Sequence, residues 1–158
     1  MTVAIIMGSP SDRAKMQGAA DILQEFGIPF EVTVLSAHRS PELVTDYVKN
    51  APIRGIRLFI CGAGMAAHLA GCVAGQTWLP VIGVPLSGST LGGEDALFST
   101  VQMPKGIPVA AVAIDGSYNA GLLAVQMLAL HDALLTQKLK DFKQHQAETI
   151  KQANGWVQ

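Results

Sequence analysis

The chain has 158 residues, of which 49% are hydrophobic and 15% charged, and its formal net charge is −1. This length suits one domain, and the near-neutral charge without a basic stripe excludes a typical nucleic-acid-binding protein. No stretch reaches the roughly 18 uninterrupted apolar residues of a membrane span, and the N-terminus lacks a signal peptide's basic flank. Cys61 and Cys72 form no metal or redox motif. We therefore expect a cytoplasmic protein with reduced thiols and no membrane or nucleic-acid partner.

Strand-like and helix-like segments alternate along the chain. An apolar run, Val3–Met7, is followed by a helical pattern that Ser11 or Asp12 can cap and that Gly27 ends. The further strand-like runs are Phe30–Leu35, Leu58–Cys61, Val81–Val84 and Val109–Ile114, and helices are predicted at Glu42–Lys49 and Glu94–Val101. This alternation predicts an α/β fold, a three-layer sandwich with a five-stranded parallel sheet and helices on both faces. We expect the flavodoxin-like strand order 2-1-3-4-5, which puts the loops after strands one and three beside a switch point.

The C-terminal third is predicted to be helical. Residues 119–136 carry apolar side chains on every side, which is typical of a helix buried on all sides, and 138–152 are more charged and amphipathic. The charged fraction is low against about 25% in an average domain. We therefore expect a homo-oligomer built from a single α/β domain over 1–158. Its core is 1–136, and its C-terminal helix, 137–158, packs on a neighbouring subunit.

The first loop reads Gly8-Ser9-Pro10-Ser11-Asp12. Glycine permits an unusual turn, and the amides that open a helix next to two hydroxyls suit an anion. The Asp12 carboxylate can accept hydrogen bonds from a ribose diol. A plain helix cap explains Ser11 or Asp12 separately, whereas the combination with Ser9 favours phosphate and sugar recognition.

The second loop reads Ser36-Ala37-His38-Arg39-Ser40-Pro41. A polar turn, with Ser40 capping a helix and Pro41 at its first position, explains the last two residues but not His38 and Arg39. Histidine titrates near neutrality and can move a proton, and arginine offers a planar fork for phosphate or carboxylate.

The third loop, Gly62–His68, superficially matches the dinucleotide pattern G-x-G-x-x-A. It lies in the third βα unit, and Val84–Gly88 supply no acidic residue where that fingerprint needs one, so we reject a dinucleotide. The small residues can instead form a wall for a flat ligand, or simply allow close helix–sheet packing. His68 by itself is more often a structural histidine than a catalyst.

Other cofactor signatures are lacking in the sequence. There is no Walker loop, no G-x-S-x-G elbow and no metal-ligand spacing among the four histidines. We therefore expect no cofactor and no metal. Together with the glycine-rich fourth loop, 87–93, the loops suit a phosphorylated ribosyl ligand that carries a small ring.

Four separated motifs resemble the PurE family of N5-carboxyaminoimidazole ribonucleotide mutases in bacterial purine synthesis. The motifs are 7–12, 36–41, Gly62-Ala63-Gly64 with Ala66-Ala67-His68-Leu69, and 101–104 with 106–109. The resemblance covers nearly the whole chain. It implies a flavodoxin-like fold, a homo-octamer with active sites at subunit junctions, and movement of a carboxylate from N5 to C4 of an aminoimidazole ring without ATP, metal or biotin.

The resemblance also implies roles for individual residues. Ser9, Asp12 and Arg39 bind the phosphoribosyl part of the substrate with help from Ser11 and Ser36. His38 acts as general acid and then as general base, while a closed pocket holds carbon dioxide. The other expected substrate-binding residues are Gly8, Ala37, Gly64, Ala66, Ala67, His68 and Leu69.

The chain departs from the family's third loop at two positions, where Met65 replaces a glycine and Ala70 a proline. If position 65 needs a positive φ, methionine costs strain of order 1 kcal/mol or more.

Two other functions stay open. One is the family's direct carboxylase, a lyase that uses carbon dioxide and replaces the Ala-Ala-His stretch; residues Ala66-Ala67-His68 favour the mutase over it. The other is a non-catalytic nucleotide-binding module.

Overall fold

The computed structural model describes residues 1–155. Its strands are β1 Thr2–Met7, β2 Phe30–Val34, β3 Ile56–Gly64, β4 Val81–Leu86 and β5 Ala110–Ala111. Its α-helices are α1 Arg13–Phe26, α2 Pro41–Asn50, α3 Leu69–Ala74, α4 Glu94–Val101, α5 Ser117–Ala129 and α6 Ala133–Ala153. The sheet is parallel throughout with the order β2-β1-β3-β4-β5, which confirms the predicted flavodoxin-like topology.

The sheet separates two hydrophobic cores, because alternate side chains of a strand point to opposite faces. Val3, Ile5 and Met7 of the inner strand β1 pack with α1 and α5, whereas Ala4 and Ile6 pack with α2 and α3. Residues 3–7 are all buried, as expected of a parallel strand covered on both faces. The helix layers thereby fix the carboxyl ends of β1, β2 and β3 at one edge of the sheet.

Two predicted strand lengths are wrong. β3 continues through Gly62 and Gly64, because it pairs with β4 there (Gly62 with Val84, Gly64 with Leu86), so these glycines end a strand rather than begin a loop. β5 is the short edge strand of the sheet, where Ala110 and Ala111 alone form the ladder with β4.

The predicted single helix 119–136 is two helices. The carboxylate of Asp132 accepts hydrogen bonds from the amides of Leu134 (2.9 Å) and Leu135 (3.1 Å) and starts α6. The burial of α5 also differs from the expectation. The sheet, α1 and α6 cover it within one chain, so its apolar sides do not by themselves require a second subunit.

Among residues 1–155, none of the helices combines the length and apolar character that crossing a membrane requires.

Candidate functional site

The first loop is held by its own hydroxyls. Ser9, rather than Ser11 or Asp12, makes the cap: its Oγ accepts a bond from Ser11 N (3.4 Å) and from Ser11 Oγ (2.8 Å). Pro10 opens a short 3₁₀ turn, Pro10–Asp12, that leads into α1. Asp12 stands at the N-cap position of α1, but its side chain does not bond to a helix amide.

The Asp12 carboxylate lies against the glycine of the same loop. A Cβ added at Gly8 would lie 3.9 Å from Asp12 Oδ2. Partial burial raises the pKa of Asp12 above its ordinary value, and hydrogen bonding with the Ser9 backbone and the Ser11 side chain, together with the positive charges of Lys15 and Arg39, offsets this only in part. The carboxylate therefore takes up a proton at a higher pH than a fully solvated aspartate does.

Arg39 links the second loop to the first. Its backbone N (3.1 Å) and its Nε (3.2 Å) donate to Ser36 Oγ, and its Nη2 donates to Gly8 O (2.8 Å). The hydrogen bonds at Nε and Nη2 therefore fix the orientation of the guanidinium, which remains exposed to solvent. Its bond to Gly8 O places the guanidinium against the first loop, near enough to Asp12 for its charge to act on that carboxyl.

Ser40 occupies the N-cap position of α2, as predicted, but its side chain makes no hydrogen bond that caps the helix. Its Oγ instead accepts from Ser36 N and donates to Ser36 O, each at 3.1 Å, and so closes the turn 36–40. Pro41 is the first residue of α2, as predicted. Ala37 is half-buried and packs against the core between the sheet and helices α2 and α3, whereas His38 is exposed and reaches the loop after β3.

His38 and His68 form a hydrogen-bonded pair. His38 Nε2 lies 2.8 Å from His68 Nδ1, and the rings meet edge to face with centroids 4.9 Å apart. One imidazole must donate and the other accept, so each ring constrains the tautomer of its partner. The sequence did not predict this pair, and His68 considered by itself was expected to be structural. The signal was the strand order, because β2 and β3 flank β1 and their following loops meet over its end.

The third loop turns sharply after β3. Met65 has φ 57, which confirms that this position needs a positive φ, and its side chain is 64% exposed. Gly64 allows close strand approach, since a Cβ there would lie 3.1 Å from Leu86 O. Ala67 and Leu69 are buried as whole residues, so neither of these two predicted substrate-binding residues presents a surface to a ligand in a single chain.

The site is open in a single chain. Ala66 and His68 are exposed, so residues 1–155 of one chain do not form the closed carbon dioxide pocket that was expected. Two surface cavities, of about 180 Å³ beside β2 and about 380 Å³ beside α6, include none of the predicted site residues. Among the described residues, no group of three acidic, histidine or cysteine side chains could hold a metal ion.

A second polar cluster, which the sequence analysis missed, lies at the same sheet edge. Lys15 Nζ donates to both the carbonyl and the hydroxyl of Ser87 and lies 3.5 Å from Asp115 Oδ2. Asp115 also accepts from Ser87 N (2.9 Å) and Ser87 Oγ. Partial desolvation raises the pKa of Asp115, but the bonds from Ser87 and the charge of Lys15 outweigh it and lower the pKa overall. The three residues lie far apart in the sequence and carry no motif that could have revealed them.

The AIR carboxylase (AIRC) family profile matches residues 2–149. The chain is 53% identical over 148 residues to the N5-carboxyaminoimidazole ribonucleotide mutase of Thermotoga maritima, which covers 94% of this chain and 86% of that protein. It is also 53% identical over 148 residues to the phosphoribosylaminoimidazole carboxylase of Saccharomyces cerevisiae, but covers only 26% of that longer protein. The crystal structure of Treponema denticola PurE superimposes with a TM-score of 0.90 at 30% identity, covering 99% of this chain and 98% of that one. The chain therefore belongs to the AIR carboxylase family.

Proposed function

We propose that this protein is an N5-carboxyaminoimidazole ribonucleotide mutase, an isomerase that moves the substrate's carboxylate from N5 to C4 of the imidazole ring in purine biosynthesis. The observation that carries the proposal is the His38–His68 pair, which lies in one loop cluster with Arg39 and Asp12. The match over 94% of this chain and 86% of a protein named as this mutase supports the same reaction.

The proposed binding mode uses the first two loops. Ser9, Ser11 and Arg39 hold the phosphate, because two hydroxyls and a guanidinium of fixed orientation converge there. Asp12 accepts hydrogen bonds from the ribose hydroxyls. Ser36 orients the Arg39 side chain, and Gly8 supplies the carbonyl that fixes its far end.

The proposed chemistry needs one group that acts first as an acid and then as a base. His38 protonates N5 as the N5–carboxyl bond breaks and carbon dioxide leaves. C4 then attacks the carbon dioxide, and the now neutral His38 removes the C4 proton, which restores the aromatic ring. The net reaction consumes no proton and no co-reactant. The bond to His68 fixes the orientation of the His38 ring through both transfers.

Two alternatives make different demands on the same residues. The direct carboxylase reaction is supported by the name of the Saccharomyces relative, but the Ala66-Ala67-His68 stretch favours the mutase. A non-catalytic nucleotide-binding module would need no pair of exposed imidazoles, whereas this protein sets one beside its anion-binding loops.

We further infer a homo-oligomer, an octamer by family resemblance, in the cytoplasm. The open site supports it, because a neighbouring subunit could close the space above Ala66 and His68. Exposed apolar side chains support it as well, among them Leu130 (79% exposed) and Leu134 (78% exposed) at the junction of α5 and α6. Light scattering should give a mass several times that of the 16.6 kDa chain, and a stable monomer at micromolar concentration would contradict it.

The test of function supplies N5-carboxyaminoimidazole ribonucleotide without added bicarbonate. We expect rapid conversion by the wild type and a loss of roughly 10²- to 10⁴-fold in kcat for His38→Asn, with ligand binding retained. His145→Asn is the matched control, because His145 is an exposed histidine on α6 and should leave turnover unchanged. Activity only on aminoimidazole ribonucleotide with dissolved carbon dioxide would instead identify the direct carboxylase.

A further inference from the structure

The cluster of Lys15, Ser87 and Asp115 is not used by the proposed reaction, yet it adjoins the site. Lys15 lies one helical turn after Asp12, at the start of α1. Ser87 follows β4 and Asp115 follows β5, so the cluster joins three separate elements at the edge of the sheet that carries the substrate loops. The Ser117 hydroxyl, which bonds to Lys15 O, adds a further tie to α5.

Lys15 has two carboxylates within its reach. Residues three apart in a helix are neighbours on its surface, so an ion pair between Lys15 and Asp12 is the local expectation. In the described part of the chain, however, the one carboxylate within 4 Å of the Lys15 ammonium is that of Asp115, at 3.5 Å, although the charge of Lys15 still acts on Asp12 and partly offsets the rise that burial causes in the pKa of that carboxyl. Two further bonds, to the carbonyl and hydroxyl of Ser87, draw the ammonium toward the ends of β4 and β5.

The backbone at Asp115 indicates that this arrangement is imposed by its surroundings. Asp115 has φ 56, a conformation that residues other than glycine seldom adopt and that persists where neighbouring contacts hold it. Its amide donates to Pro85 O (2.9 Å), and its carboxylate accepts from Ser87 N (2.9 Å). The acid is therefore held in place by contacts that do not involve Lys15.

We propose that Asp115 is a positioning residue that sequesters the Lys15 ammonium and thereby leaves the Asp12 carboxylate free for the ribose hydroxyls of the substrate. This inference rests on the proposed function, because it takes Asp12 as the ribose ligand. An ammonium paired with Asp12 would compete with the sugar for the same oxygen atoms. Asp115 thus acts on substrate affinity through Lys15 without touching the substrate.

The test compares Asp115→Asn, Lys15→Met and the double variant with the wild type. Asparagine tolerates a positive φ and can still accept from Ser87, so Asp115→Asn removes chiefly the charge that holds Lys15. Two quantities are measured for each protein: KM and kcat for N5-carboxyaminoimidazole ribonucleotide, and the Kd of ribose 5-phosphate by calorimetry. The second probe reports on sugar binding without turnover.

We expect Asp115→Asn to raise both KM and Kd by about two- to fivefold, the range that a partly exposed ion pair supports, with kcat almost unchanged. Lys15→Met and the double variant should both bind within about twofold of the wild type, since neither has an ammonium to occupy Asp12. This rescue is the readout that a merely structural cluster would not give.

Several results would overturn the inference. A double variant as weak as Asp115→Asn would mean that the cluster only supports the fold, and a weak Lys15→Met would mean that Lys15 binds the substrate directly. Unchanged binding by Asp115→Asn, or no binding of ribose 5-phosphate by the wild type, would also exclude it. If Asp115→Asn does not fold, a Lys15→Met variant that loses affinity excludes the proposal and one that keeps it supports it. Absence of mutase turnover in the wild type would refute the proposed function, while the Kd series still tests the role of Asp115.

Discussion

Replacement of Met65 tests how much strain the third loop stores. Met65 has φ 57 and is 64% exposed, so it combines an unfavourable backbone conformation with modest burial. Glycine adopts this conformation without penalty, whereas alanine keeps the Cβ that causes it. The informative quantity is therefore the difference in unfolding free energy between Met65→Gly and Met65→Ala.

The expected difference in unfolding free energy is the sum of opposing contributions. A residue with a Cβ pays about 1–2 kcal/mol in the left-handed region, and glycine loses about 0.4–1 kcal/mol through its larger entropy in the unfolded chain. Both variants lose the same partial burial of the methionine, roughly a third of the 1.5–3 kcal/mol for a fully buried side chain. Met65→Gly should therefore be more stable than Met65→Ala by about 0.5–1 kcal/mol and close to the wild type.

Urea unfolding, at one fixed protein concentration because association shifts the midpoint, measures these differences. Gln126, exposed on α5, supplies the matched control, since glycine in a helix is about 1 kcal/mol worse than alanine. The order of glycine and alanine should thus invert between positions 126 and 65. If alanine is the more stable residue at both positions, the strain assigned to the third loop is refuted.

Three further predictions concern packing, pH and recognition. Gly121→Ala should lower the free energy of unfolding in urea by about 1–3 kcal/mol, because the new Cβ would lie 2.2 Å from Ile22 Cγ2. Gly71→Ala is the control, since its Cβ would meet only the flexible side chain of Met103 and should leave the free energy of unfolding almost unchanged. Equal losses in the two variants would contradict this prediction. Burial raises the pKa of Asp12, and the protonated carboxyl cannot serve as the ribose acceptor. On acidification, KM should therefore begin to rise at a higher pH than it would with an aspartate of ordinary pKa. A KM that stays constant from pH 7 to about pH 4 would disprove this prediction. Arg39→Lys should raise KM roughly tenfold, because an ammonium cannot reproduce the planar fork, and an unchanged KM in steady-state assays would remove Arg39 from the substrate site.

The sequence predicted the features that local patterns encode. Apolar runs and intervening helical periodicity indicated an α/β fold with a parallel sheet, and the flavodoxin-like strand order expected for such a fold placed Ser9, Asp12 and Arg39 at one sheet edge. The end of the long helix at Asp132 was also locally encoded, since aspartate is a preferred N-cap, but the continuous apolar pattern masked it.

The missed features depend on contacts between distant residues. The His38–His68 bond forms because two non-adjacent strands flank a third, and periodicity carries no information on which loop ends meet. Lys15 and Asp115 are a hundred positions apart and meet only after α1 and β5 have packed on the same sheet. The open pocket differs from the expected closed one for a similar reason, because closure would need atoms outside this chain.

The two halves of α6 have different supports. Its first half is anchored by the buried Leu135, by Lys138 Nζ on Phe26 O (3.0 Å) and by the ring of Phe142 at 5.7 Å from that of Phe26. From Lys143 to Ala153 every residue is exposed. A helical segment shorter than about 12–15 residues is marginal in water without such support.

The helix–coil equilibrium should therefore differ between the two halves of α6. Amide hydrogens before Phe142 should exchange slowly with the opening of the whole domain, and those beyond Lys143 should exchange through local fraying at the C-terminal end. Slow exchange along the outer half would locate there the surface at which another copy of the chain covers this one. The position of the change in exchange rate would then measure how far along α6 the association extends.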